Sequence, residues 1–314
     1  MRYALKKFVT MVITIIMVTL FVFLAFNLIS GDPVISILGT DATPERVEAL
    51  RRELHLDDPV ILRYFRWFFN FMRGDMGVSY SYKINVRSMI LEKVPVTATM
   101  AIMAFFLMII IAIPLGIHTS KHQGSALDRT VIILNQIIMS IPPFFSGILL
   151  TFIFGRVLKL FTPGGYVSYQ KDFGSFLWYM FFPSLAIALP KATMAIKLLR
   201  GSLISEYNMD YVRTAYSKGN STNGVLYGHM LKNAILPVIT FLGMALTDMI
   251  AGSIIVEQVF SIPGLGRILL TSISNRDYPV VLAIIVIISA MVLLVNMLID
   301  IIYSLIDPRI SFEE

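Results

Sequence analysis

The sequence predicts an all-α protein that crosses a membrane six times, and three observations point there. Of its 314 residues, 56% are hydrophobic and 15% are charged, against roughly 25% charged in an ordinary globular protein. The apolar residues are gathered into blocks of spanning length rather than scattered. Lys and Arg collect at the block ends, as they do beside membrane spans. A hydrocarbon layer about 30 Å thick is crossed by about 20 helical residues. Backbone groups with no water to bond must pair within the segment, so the blocks are helices. Disorder and an outer-membrane barrel are excluded.

Residues 9–29, 96–117, 130–155, 173–190 and 278–299 contain no Asp, Glu, Lys or Arg, and 233–256 contains only Asp248. With the N-terminus in the cytoplasm, the inner segments hold eleven Lys and Arg and the short outer segments five, so both termini are predicted cytoplasmic. Lys6 and Lys7 precede an apolar stretch as in a signal peptide. That stretch is of spanning length and lacks a small-x-small cleavage site, so it is expected to stay as the first span. The expected organisation is residues 1–30 as N-terminus and first span, 31–95 as an extracytoplasmic loop, and 96–314 as a five-helix core with a cytoplasmic loop at 201–232.

The long loop reads as folded. Thr43-Pro44-Glu45 orders a cap, a first-turn proline and an early acid, the signature of a helix start. A second start falls at Asp58-Pro59, followed by Tyr64, Phe65, Trp67, Phe68, Phe69, Phe71 and Met72, with Gly74 to stop it. This aromatic cluster is either a dock for an external partner or an amphipathic helix in the headgroup layer.

Catalytic signatures are missing. No G-x-x-x-x-G-K-[ST], H-E-x-x-H or G-x-S-x-G is present, and zero cysteines remove thiolate metal sites and cysteine nucleophiles. His118 and His122 share a helical face but have no carboxylate beside them, so they read as a solvated span end. The net charge of +6 reflects span ends rather than a nucleic-acid stripe. Within spans, Lys191 either lines a watery path or snorkels. Asp248 is a candidate for a polar pathway, an inter-helix contact or an interior structural pairing, and Asp300 meets water at a span end.

The loop at 201–232 restores polarity. Asp210-Tyr211-Val212-Arg213-Thr214-Ala215-Tyr216-Ser217-Lys218-Gly219 reads as a short helix with an early acid, a late base and a terminal glycine. Hung between two spans, such a helix suits a soluble partner that pushes on it. After the fifth span, Phe260 to Arg267, with Pro263, Gly264 and Gly266, reads as a tight external turn or partial re-entry, or else a plain connector.

Thr214-Ala215, three residues, Gly219 and then Asn233-Ala234-Ile235-Leu236-Pro237 resemble the Glu-Ala-Ala loop of binding-protein-dependent ABC importer permeases, in the form used by the dipeptide, oligopeptide and nickel branch. Gly31-Asp32-Pro33, Leu56-Asp57-Asp58-Pro59, Arg73-Gly74-Asp75-Met76-Gly77, Ser140-Ile141-Pro142-Pro143, Phe260-Ser261-Ile262-Pro263-Gly264-Leu265-Gly266-Arg267, Arg276-Asp277-Tyr278-Pro279 and Asp307-Pro308-Arg309 match the same branch in order along the chain. Arg213 stands where other branches carry the loop's glutamate.

The resemblance implies the type I importer permease fold in a bacterial-type inner membrane and no cofactor in this chain. It also implies the partners: a second, non-identical permease, two cytoplasmic ATP-binding subunits that hold ATP and Mg, an extracytoplasmic substrate-binding protein, and membrane lipid, with no nucleic acid. Residues Asp210 to Gly219 would couple to the ATPases, and a bulky charge at Ala215 or Gly219 would uncouple ATP hydrolysis from uptake. Peptides are the expected substrate, with nickel or a metal chelate as the alternative and a stand-alone secondary transporter as the contrasting class.

Overall fold

The computed structural model describes residues 2–29, 34, 38, 43–53 and 55–306; Gly31-Asp32-Pro33, Asp307-Pro308-Arg309 and the Asp300 side chain lie outside the described residues. In order, the helices are α1 (Arg2–Ile29), α2 (Pro44–Glu53), α3 (Val60–Met72), α4 (Val86–Leu91), α5 (Val94–Lys121), α6 (Ala126–Met139) and α7 (Pro143–Leu150), which winds on through π turns at Thr151–Val157. Then come α8 (Phe173–Tyr207), α9 (Asp210–Ser217), α10 (Thr222–Val225), a π turn at Leu226–Met230, α11 (Leu231–Ala234), α12 (Leu236–Val259), α13 (Leu265–Ser274) and α14 (Tyr278–Ile306). Among the described residues there is no strand, and a single antiparallel bridge joins Val78 to Asn85.

The expected spans form as five segments without a sharp bend, of which Val86–Lys121 joins α4 to α5 across a short turn, and one broken pair. Val9–Asn27, Val86–Lys121, Phe173–Tyr207, Leu236–Val259 and Tyr278–Ile299 are long and apolar enough to cross a membrane. The block at 130–155 is instead α6 and α7, bent by 107°. The cause is Ile141-Pro142-Pro143: a residue before proline is pushed out of the helical region and a proline offers no N–H. Pro143 then sits in the first turn of α7, where the missing donor costs nothing. A second difference lies in α8, which runs seventeen residues past Pro190 to Tyr207. Lys191, Lys197 and Arg200 end the uncharged run but not the helix, which its buried Ala192, Ala195, Ile196, Leu199 and Leu203 hold in place.

The chain packs as two compact units, one of residues up to Val96 with Pro263–Met297, the other of Thr97–Ile262 with the segment from Leu298. In the first, α3 lies on α1. Tyr64 is buried, its hydroxyl 2.8 Å from Thr19 Oγ1 and donating to the Ile16 carbonyl at 3.0 Å. Phe23 meets its ring edge-on at 5.6 Å. Trp67 and Phe68 pack partly buried against it, while Phe65, Phe69 and Met72 remain exposed on the other face. The buried Asp277 carboxylate gathers the segment before α4: the Ser79 hydroxyl donates to it, as do the backbone N–H groups of Tyr80 at 2.9 Å and Ser81 at 3.1 Å. Burial, with Asp277 nearby, pushes the Tyr80 phenol up to about 12.

The second unit is organised around α8. Ser184 donates to the Met100 carbonyl at 3.1 Å, linking α8 to α5. Thr97 donates to the buried Glu257 at 2.6 Å, linking α5 to α12. Gly243 lets α12 approach the last helix, since a Cβ there would lie 2.5 Å from Ile299 Cγ2, the close helix contact that small residues permit in membranes.

Candidate coupling loop and intramembrane charges

Helix α9 has two unlike faces. Val212 and Ala215 are buried in an apolar cluster with Ile117, Leu199, Leu203, Val225, Leu226 and Met230. Three-residue spacing puts both on one side of a helix. Arg213, Thr214, Ser217 and Lys218 are exposed on the other side. The Asp210–Arg213 pair, 3.6 Å apart with side chains 97% and 75% exposed, is of the kind that adds little stability. Ala215 therefore seats the helix on its own chain, and a charge there would disturb that packing before it touched any partner. Gly219 behaves differently. Its φ of +82° is a left-handed conformation open to glycine without strain, and a Cβ would meet nothing within 4 Å.

Side chains tie α9 to its neighbours. The Tyr211 hydroxyl donates to Glu206 near the end of α8 and accepts from Asn233 Nδ2 at 3.2 Å. Burial, reinforced by the bond to Glu206, pushes the Tyr211 phenol up from its ordinary value, so it stays a donor at neutral pH. Asn220 Nδ2 closes the other end on the Ala215 carbonyl at 3.1 Å. Lys121, at the end of α5, reaches Asn223 at 2.9 Å. The polar stretch 220–224 is thus fixed, and Ser221 caps the short α10 by accepting from Gly224 N–H.

Deeper along α8, Lys191 and Asp248 meet. Lys191 Nζ donates to Asp248 Oδ2 at 2.5 Å, with side chains 28% and 59% exposed. Two residues read separately in the sequence are partners joining α8 to α12. Nine residues further along α8, Arg200 holds Asp128 through both guanidinium arms, Nε to Oδ1 at 2.7 Å and Nη2 to Oδ2 at 2.9 Å. Gly124 N–H adds a third donor at 2.9 Å. Sequence reasoning missed this pair and, though it quoted Asp277 within a motif, missed what that carboxylate holds, because each acid stands beside a helix start and reads as a solvated flank.

Toward the other end of α8, Phe161, Thr162, Gly165, Val167, Trp178 and Tyr179 are among the residues lining a cavity of about 320 Å³. Tyr179 donates to the Phe260 carbonyl at 2.7 Å. The glycine-rich connector is a tight turn with Ser261 at φ +56°, after which Pro263 and Gly264 lead into α13. Leu265 and Gly266 are buried there and Arg267 lies in the first turn. Among the described residues no group of three His, Asp or Glu could hold a metal ion.

The two ends of the chain match two family profiles. Residues 1–101 match the N-terminal region of the binding-protein-dependent transport system membrane component, and residues 108–312 match the binding-protein-dependent transport system inner membrane component. The chain belongs to this permease family. As a binding-protein-dependent permease it is a multi-pass protein of the type I importer fold. It is 31% identical over 310 residues to a probable peptide ABC transporter permease protein of Sinorhizobium fredii, covering 99% of each. It is 33% identical over 309 residues to a putative peptide transport system permease protein of Brucella abortus, covering 98% of each. With the oligopeptide transport system permease protein AppB of Bacillus subtilis it shares 30% over 313 residues, covering 99% of each.

Proposed function

We propose that this permease is one transmembrane half of an ATP-driven importer of dipeptides and oligopeptides. It works beside a second, non-identical permease, with two ATP-binding subunits on the cytoplasmic side, a substrate-binding protein outside, and both termini in the cytoplasm. ATP hydrolysis belongs to the separate subunits. The peptide reading is supported by the names of the full-length relatives. The observation that carries the coupling reading is the division of α9, apolar side seated and polar side free.

Nucleotide can move a permease only if the ATPases contact its two states with different affinity. A helix that presents Arg213, Thr214, Ser217 and Lys218 outward offers such a contact. Its ties through Tyr211 to Glu206 and Asn233 link any displacement to α8 and to the chain leading into α12.

The absence of cysteine from the sequence makes the test clean. Ser217→Cys and Lys218→Cys should each cross-link to a cysteine placed in an ATP-binding subunit, while Val212→Cys, facing inward, should not. Cells lacking the chain should lose uptake of labelled dipeptides and oligopeptides. Solute flux through the purified chain alone, without nucleotide or companion subunits, would overturn the reading.

A further inference from the structure

The exposed residues of α12 are Pro237, Thr240, Met244, Asp248, Ala251, Ile255 and Gln258. Their spacing of three and four follows one helical face. This stripe runs the length of a span, yet it carries polar groups at both ends and a carboxylate at its centre. Among the described residues, the Asp248 carboxylate takes one hydrogen bond, from Lys191. More than half of its side chain stays open, whereas the lysine is nearer to buried. A carboxylate at membrane depth that keeps an open side marks a watery path or a polar partner.

We propose that Asp248, held beside Lys191, is a transient receptor for the α-ammonium group of a peptide in transit; this rests on the peptide reading above. Peptides differ in side chains and length, but each free peptide carries that ammonium. It can take the open side of Asp248 while Lys191 keeps its own bond, so the carboxylate is neutralised at every stage and neither partner of the pair is stripped. Because a cation is already present when the path is empty, the net gain on binding is small. A weak site suits passage, where a ligand must leave as readily as it enters. Lys191 is then a positioning residue that keeps the empty site compensated.

The test uses the complete complex in liposomes, with trialanine and N-acetyl-trialanine as probes, each supplied on saturated binding protein. Wild type should import trialanine about tenfold faster than the acetylated form, the size of one charge-assisted hydrogen bond. Asp248→Asn should erase that preference by slowing trialanine alone, at a membrane abundance within about twofold of wild type. Asp248→Glu should restore much of the preference. If Asp248→Asn slows both probes equally, or leaves the preference intact, the pair is a structural tie or a seat for the second permease and the proposal falls. If wild type imports neither probe, the peptide reading fails, and this proposal fails with it.

Discussion

Two ion pairs grow from α8 and differ in how far the protein closes around them. Asp128, 2% exposed, receives both arms of Arg200 and a backbone N–H. Asp248, 59% exposed, receives Lys191 alone. A buried carboxylate held by three donors is a fixture of the fold, and removing its charged partner leaves an uncompensated charge. One left half open is free to meet something else. The faces of α9 repeat the contrast with apolar groups, Val212 and Ala215 closed in, Arg213 and Lys218 open.

The largest expected effect follows from the closed pair. Arg200→Ala should cost about 3–5 kcal/mol, seen as loss of membrane abundance and a lower unfolding temperature in detergent. A small effect there would mean that water reaches Asp128. Next, Ala215→Leu overfills the cluster under α9 and should cost about 1–3 kcal/mol, with proteolysis near 210–224 reporting the loosened helix. Gly219→Ala fits the open space but strains the left-handed backbone, for about 1 kcal/mol, read as a shift in the same cleavage.

At the open pair, Lys191→Gln should cost less than about 1 kcal/mol, since water can compensate Asp248. A loss matching that of Arg200→Ala would place Asp248 against lipid and break the contrast. Smallest in stability is Arg213→Ala, within about 0.5 kcal/mol. Its uptake should nonetheless fall severalfold at unchanged abundance, and normal uptake would remove Arg213 from the proposed ATPase contact.

Much of the architecture is legible in the sequence because its determinants are local. Apolar blocks of spanning length, the proline-led starts at Pro44 and Asp58-Pro59, and the stop at Gly74 each reside in a few adjacent residues. The break at Ile141-Pro142-Pro143 was equally local, but a charge-free block hid it, because absence of charge says nothing about continuity of hydrogen bonding. Pairings were out of reach. Asp128 and Arg200 are separated by 72 residues and Lys191 and Asp248 by 57, and no local pattern says which cation a carboxylate will find. The side of α9 that holds Ala215 could have been read from its spacing with Val212.

Pro183 and Pro190 lie two turns apart in α8, and so on nearly the same side of it. Neither can donate to the carbonyl four residues earlier, so Tyr179 and Ala186 lose their usual bonds along one seam. A rod unlaced on a single side flexes in one plane. Force applied beyond Tyr207 would therefore swing the arm that begins at Lys191 about that seam, as a tilt of fixed direction rather than a twist.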